Sequence, residues 1–161
     1  MFTALMNLIT RRITPTATEF SGPSAHFTWR EVACRDRERT LPTGKALENA
    51  RKAAVMMEAI RDAMGDNPIT VNSWYRTPAY NMQVKGASDS RHMLGMAVDF
   101  TVQSMAPEEV FMRLRVLRDA GQIGIGGLAG YKNFVHADIG EKRNWKTGMS
   151  YNDDIVRERK A

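Results

Sequence analysis

The chain has 161 residues, 43% of them hydrophobic and 25% charged, with a formal net charge of +5 and a pI near 9.6. This length and composition fit one globular domain with a self-supporting core, and exclude a collagen, a coiled coil or a wholly disordered chain. The basic balance favours an anionic partner, such as nucleic acid, a membrane surface or a bacterial wall polymer. No RNA-binding aromatic motif, zinc-finger spacing or long basic run is present, so nucleic acid is not expected.

Met1 to Ile9 is mildly apolar but far too short to span a bilayer. Arg11 and Arg12 follow that stretch, whereas a secretory signal places its charges first. The expectation is a chain made in the cytoplasm without a cleaved signal or a transmembrane segment. Thr14 to Ala25 mixes Thr, Pro, Ser and Gly, so residues 1–25 read as an arm. Phe27 to Cys34 fits a short helix or turn. Cys34 stands alone, which rules out an internal disulfide and a thiolate zinc cluster, and it reads as a small buried residue.

Thr43 is a cap for a helix running to about Met64. Leu47, Ala50, Ala54, Met57, Ile60 and Met64 make its apolar stripe, and Gly65 ends it. Ile69 to Ser73 reads as a strand, Trp74 to Pro78 as a turn with large side chains, and Ala79 to Val84 as a helical turn. Lys85 to Arg91 is a loop. From Met96 to Val102 the pattern alternates: Met96, Val98, Phe100 and Val102 take one face, and Asp99 takes the other.

Pro107 opens a second helix, with Glu108 and Glu109 where the dipole favours them and Val110, Leu114 and Leu117 on its buried side. Gly121 closes it. The glycine-rich run Ile123 to Gly130 lacks a Gly-Lys-Ser/Thr, so it is no phosphate loop. Phe134 to Ile139 is the last strand expected, with Phe134, His136 and Asp138 on one face. Residues 147–161 form a polar tail, which leaves 26–146 as the domain. The fold class expected is α+β: a small, mainly antiparallel sheet with packed helices.

The chain has three histidines, and two of them, His92 and His136, lie close in sequence to Asp99 and Asp138. Two imidazoles and a carboxylate can make three legs of a catalytic zinc site with the fourth position open. The blander alternatives are a surface or a hydrogen-bonded core histidine, a turn-capping Asp99, and an Asp138 paired with Lys142 or Arg143. Spacing alone does not decide between these readings.

Ser90-Arg91-His92-Met93-Leu94-Gly95-Met96-Ala97-Val98-Asp99 resembles the Ser-x-His-x-x-Gly-x-Ala-x-Asp motif of the M15 peptidases. These are zinc D-Ala-D-Ala carboxypeptidases and phage endolysins, related in fold to the hedgehog amino-terminal domain. Ser73 to Asn81 resembles the family's Gly-Tyr-Arg-Ser-Pro-x-Tyr-Asn segment, Phe27 to Asp36 the start of its domain, and Phe134 to Asp138 its last motif, with Trp145 following. The likeness runs from about His26 to Trp145, with the motifs in order.

The resemblance implies Zn2+ held by His92, Asp99 and His136. It matches Arg76 to the arginine that anchors a substrate carboxylate, a task suited to a bidentate guanidinium. Ser90 bonds substrate or holds its loop, and Tyr75 and Gln83 are candidates for the pocket wall. Many relatives carry an acidic residue or a histidine shortly before the last zinc ligand; Tyr131, Lys132 and Asn133 stand there instead. Asp138 is then either the general base or the residue that orients His136.

The activity implied is hydrolysis of bacterial peptidoglycan stem peptides, by a phage lysis enzyme or a virion-associated hydrolase acting on the wall. A terminal D-Ala-D-Ala bond, an internal L-Ala-D-Glu bond and a cross-link are all open as its target. The alternatives are a zinc-containing wall-binding or structural phage protein without turnover, and a basic nucleic-acid-binding or structural phage protein whose histidines bind no metal.

Overall fold

A computed structural model describes residues 22–147 of the chain. The expected tail past Thr147, and the expected arm up to residue 21, lie outside the described residues. In chain order the elements are α1 (Trp29–Val32), α2 (Gly44–Ala63), β1 (Ile69–Ser73), α3 (Pro78–Gln83), a 3-10 turn (Arg91–Leu94), β2 (Ala97–Val102), α4 (Pro107–Asp119), β3 (Gly127–Tyr131), β4 (Val135–Asp138) and β5 (Arg143–Thr147). The five strands form one sheet in the order β1-β2-β4-β3-β5. Every neighbouring pair is antiparallel except β3 and β5, which run parallel. The α+β class expected from the sequence is the class observed. Among the described residues no helix is long and apolar enough to cross a membrane.

Local chemistry explains the helices. Thr28 and Glu31 form a reciprocal capping box that starts the single turn of α1. Thr43 takes the cap position of α2, and Ala50, Ala53, Ala54, Met56, Met57 and Ile60 are buried along one stripe. Pro107 lies in the first turn of α4, followed by Glu108 and Glu109. The buried side of α4 differs from the expected one. Val110, Phe111, Leu114 and Arg118 are buried, while Leu117 is half-buried. Arg118 can be buried because its guanidinium donates to the carbonyls of Gly126 and Arg143, to Asp119 and to Asn144.

The sheet has two unlike faces. Val98, Phe100, Leu128, Val135 and Ala137 join α2 and α4 in one apolar core. Asp99, His136, Ala129 and Trp145 alternate with these and form a row across the other face, through the pairs Asp99↔His136, Ala129↔His136 and Ala129↔Trp145. Ser73 joins that row because β1 carries a bulge: Val71 pairs with Phe100, but Ser73 pairs with Asp99.

Two strands depart from the sequence reading. The glycine-rich run, where no strand is expected, contains most of β3, and β4, expected to be the last strand, is followed by β5. Glycine in β3 has a packing cause. A Cβ on Gly127 would lie 2.2 Å from Asp138 Oδ2, so the strand gives up side chains to approach β4 closely. β5 is short and polar, and its pairing partner β3 lies on the far side of the β4 turn. Its sequence therefore carries no alternating apolar pattern.

Candidate metal centre

Three separate elements deliver the three candidate ligands. His92 sits in the 3-10 turn, which ends on Gly95 in the left-handed region at φ 70°. A Cβ on Gly95 would lie 2.2 Å from the Ala46 carbonyl oxygen, so glycine lets this turn press against α2. Asp99 is central in β2, and His136 is opposite it in β4. All three are buried, and one ligand atom from each lies within 4.8 Å of the others.

The hydrogen bonds orient the imidazoles. His92 Nδ1 lies 2.6 Å from the Trp74 carbonyl. A carbonyl only accepts, so this nitrogen carries a proton, which in the neutral ring leaves the lone pair on Nε2. That lone pair faces Asp99 Oδ1 at 3.2 Å. His136 Nδ1 lies 2.8 Å from the same oxygen, and the two rings meet edge-on with centroids 5.2 Å apart. Two ring nitrogens thus converge on one carboxylate oxygen, and a neutral His92 offers that oxygen no proton. A cation among the three atoms satisfies all of them at once. Two imidazoles and one carboxylate suit zinc, and three ligands leave a position open.

The family model for Peptidase M15 matches residues 25–138. The chain belongs to the M15 peptidase family. It is also 38% identical over 103 residues to a zinc D-Ala-D-Ala carboxypeptidase from Streptomyces albus G. That match takes in 62% of this chain but 39% of the Streptomyces protein, so the chain spans well under half of its relative's length. Zinc is the ion that the family and the donor set together assign to His92, Asp99 and His136.

Around these residues the M15 site carries further polar groups. Arg76 Nη2 donates to Asp99 Oδ2 at 3.0 Å, and its Nε donates to Ser73 Oγ at 3.0 Å. The Arg76 backbone N–H also donates to the His92 carbonyl, so the arginine turn and the histidine turn are joined directly. Burial alone would raise the pKa of Asp99, but His92 and His136 in their protonated forms outweigh it and hold the carboxyl well below the usual carboxylate range. For His136, burial opposes the charge, yet hydrogen bonds to Asp138 and Asp99 raise its pKa.

Asp138 lies on the other side of the His136 ring. Its Oδ2 is 3.1 Å from His136 Nε2 and accepts from Arg143 Nη2 at 2.8 Å. Its Oδ1 accepts the backbone N–H groups of Gly127 at 3.0 Å and Gly140 at 2.8 Å. The residue is 0% exposed. Burial acts to raise its pKa, but these bonds prevail and keep it ionised. The pairing with Arg143 is one of the two expected; Lys142 instead reaches Asp119.

The remaining expected site residues lie further out. Ser90 is half-buried at the start of the 3-10 turn, and its carbonyl accepts the Met93 N–H. Gln83 is exposed at the end of α3. Tyr75 packs partly into the core; burial, with Cys34 and Asp36 nearby, raises its pKa. Cys34 is buried and accepts the Thr77 N–H, a structural position.

Ser73, the Trp74 carbonyl, Gly127 and Gly140 were not visible as site residues from the sequence. Ser73 depends on a bulge and the others act through backbone atoms, so no side-chain motif marks them.

Proposed function

We propose that this protein is a zinc-dependent peptidase that cleaves peptide bonds in bacterial peptidoglycan stem peptides. The convergence of His92, Asp99 and His136 beside Arg76 carries the reading. The name of the Streptomyces relative and the basic net charge of the chain both support this substrate class. Zinc, when bound, supplies Lewis acidity toward water and a carbonyl oxygen.

The chain's own residues divide the remaining work. Trp74 fixes the His92 tautomer through its carbonyl. Arg76 steadies Asp99, and its Nη1, which has no hydrogen-bond partner among the described residues, is available to a substrate carboxylate. That favours cleavage next to a free C-terminus. An internal cut of the phage endolysin type is the other form of the same proposal, with action on the wall after lysis or from a virion.

For Asp138 we propose the orienting role. Its position behind His136 Nε2 and its full set of donors suit a carboxylate that holds a ligand histidine. The same saturation favours a second reading, a zinc-containing wall-binding or structural protein without turnover. Mass spectrometry of purified peptidoglycan incubated with the zinc-loaded protein separates the two. Released D-Ala or new amino termini support the peptidase. Intact fragments, with zinc bound near one equivalent, leave the non-catalytic reading.

A further inference from the structure

The metal face of the sheet continues past His136 in a direction the ligands do not use. Ala129 of β3 lies between His136 and Trp145 of β5, paired with each. A methyl group fills little of that gap, and the Trp145 ring leans across it, its centroid 5.1 Å from the His136 ring at 50°. Tyr131, two residues along β3, lies on the same face. It stacks on Phe134 at 4.4 Å between centroids. Arg143 lies 5.1 Å over the Trp145 ring while also holding Asp138. Trp145, Tyr131 and Phe134 all remain partly exposed.

One hydrogen bond gives this shelf its chemistry. Trp145 Nε1 donates to Tyr131 Oη at 2.8 Å. An indole N–H is only a donor, so the direction is fixed. The Tyr131 oxygen is the acceptor, and its own O–H keeps a proton with no acceptor among the described residues. A partly exposed aromatic surface with a directed donor matches a peptide: a carbonyl on the hydroxyl, and an apolar Cα region on the indole.

The strand order then gives a direction. Arg76 follows β1 and bonds Asp99 of β2, while Trp145 and Tyr131 lie beyond β4 on β5 and β3. We propose that Trp145 and Tyr131 form the subsite for the acyl side of the scissile bond and set a preference for peptides extended on that side. This rests on the peptidase reading above, with the substrate carboxylate at Arg76. A substrate held there must run over Asp99 and His136 toward Trp145.

The test compares zinc-loaded wild type, Trp145→Ala and Tyr131→Phe on N-acetyl-D-Ala-D-Ala and N-acetyl-L-Lys-D-Ala-D-Ala. The quantity read is the long-to-short ratio of kcat/KM, with zinc content measured alongside. The ratio is expected to fall about tenfold in Trp145→Ala and about threefold to tenfold in Tyr131→Phe, as for removal of an apolar contact and of one neutral hydrogen bond. A ratio unchanged in both variants overturns the proposal, because loss shared equally by the two peptides means that Trp145 merely supports His136.

If wild type cleaves neither peptide, cleavage beside a free D-Ala terminus has failed as the form of the peptidase reading, and binding decides the subsite. In that case the longer peptide is titrated into the zinc-loaded protein while the Trp145 indole N–H resonance, assigned by its absence in Trp145→Phe, is followed. Saturable shifts that weaken in Tyr131→Phe support the subsite; no shift overturns it.

Discussion

The apolar face and the metal face of the sheet use the same strands but fail in different ways. On the apolar face, Phe100, Val98, Leu128 and Val135 pack against α2 and α4. Each contributes roughly 1.5–3 kcal/mol by burial, and neighbours can partly relax after a loss. On the metal face, Asp99, His136, Asp138, Arg76 and Arg143 share charges and directed bonds. Removing one partner there leaves a buried charge or donor with nothing to replace it. One face supplies stability by area, and the other supplies position by geometry.

Two substitutions test that division most severely. His136→Ala is expected to abolish stoichiometric zinc, measured by metal analysis after gel filtration, while circular dichroism still reports the fold. Phe100→Ala is expected to do the reverse, costing about 3–5 kcal/mol in denaturant unfolding while the surviving folded fraction still binds zinc. If each variant lost both properties equally, the two faces would not be separable.

A smaller effect is expected from Asp138→Asn, which keeps the shape but turns an amide NH2 either toward His136 Nε2 and Arg143 or toward the Gly127 and Gly140 N–H groups, donor against donor. Zinc affinity, read by competition with a chromogenic chelator, should fall about 10–100-fold. Unchanged affinity with a lost kcat would instead mark Asp138 as the base.

The smallest effect belongs to the surface. Glu58 on α2 accepts the His26 backbone N–H at 2.8 Å and faces its Nδ1 at 2.7 Å. Burial raises the Glu58 pKa, but the nearby Ser24 hydroxyl and the hydrogen bonds to His26 more than offset this and lower it. A depressed carboxylate stabilises the fold above its unfolded pKa and loses that contribution as pH falls through the folded value. Glu58→Gln should therefore cost at most about 1 kcal/mol at neutral pH. The difference from wild type should vanish in acid, as thermal melts at both pH values would show.

What the sequence revealed follows the same division. The stripe of α2 and the alternation of β2 are local patterns, so the helix and the apolar face were legible. So were the positions of His92 and Asp99, because the motif around Gly95 is compact, and that of His136, from the short motif Phe134 to Asp138. The glycines of β3 hid a strand, since Gly127 is there for the space Asp138 needs rather than for a turn. β5 is recognisable only through its parallel partner. Asp138 read as half of a matched pair, because period two puts it on the face of His136. Only the three-dimensional register shows that the two carboxylates flank that ring from opposite sides.

Arg118 bears on where the domain can be cut. The family match ends at residue 138, yet two of the acceptors for this buried cation, the Arg143 carbonyl and Asn144, come afterwards. A chain stopped at 138 would also strip β3 of its parallel neighbour and bare a row of unpaired backbone groups along Gly127–Tyr131. A piece that keeps these contacts includes β5. The boundary is set by an arginine in α4, well before the strand it requires.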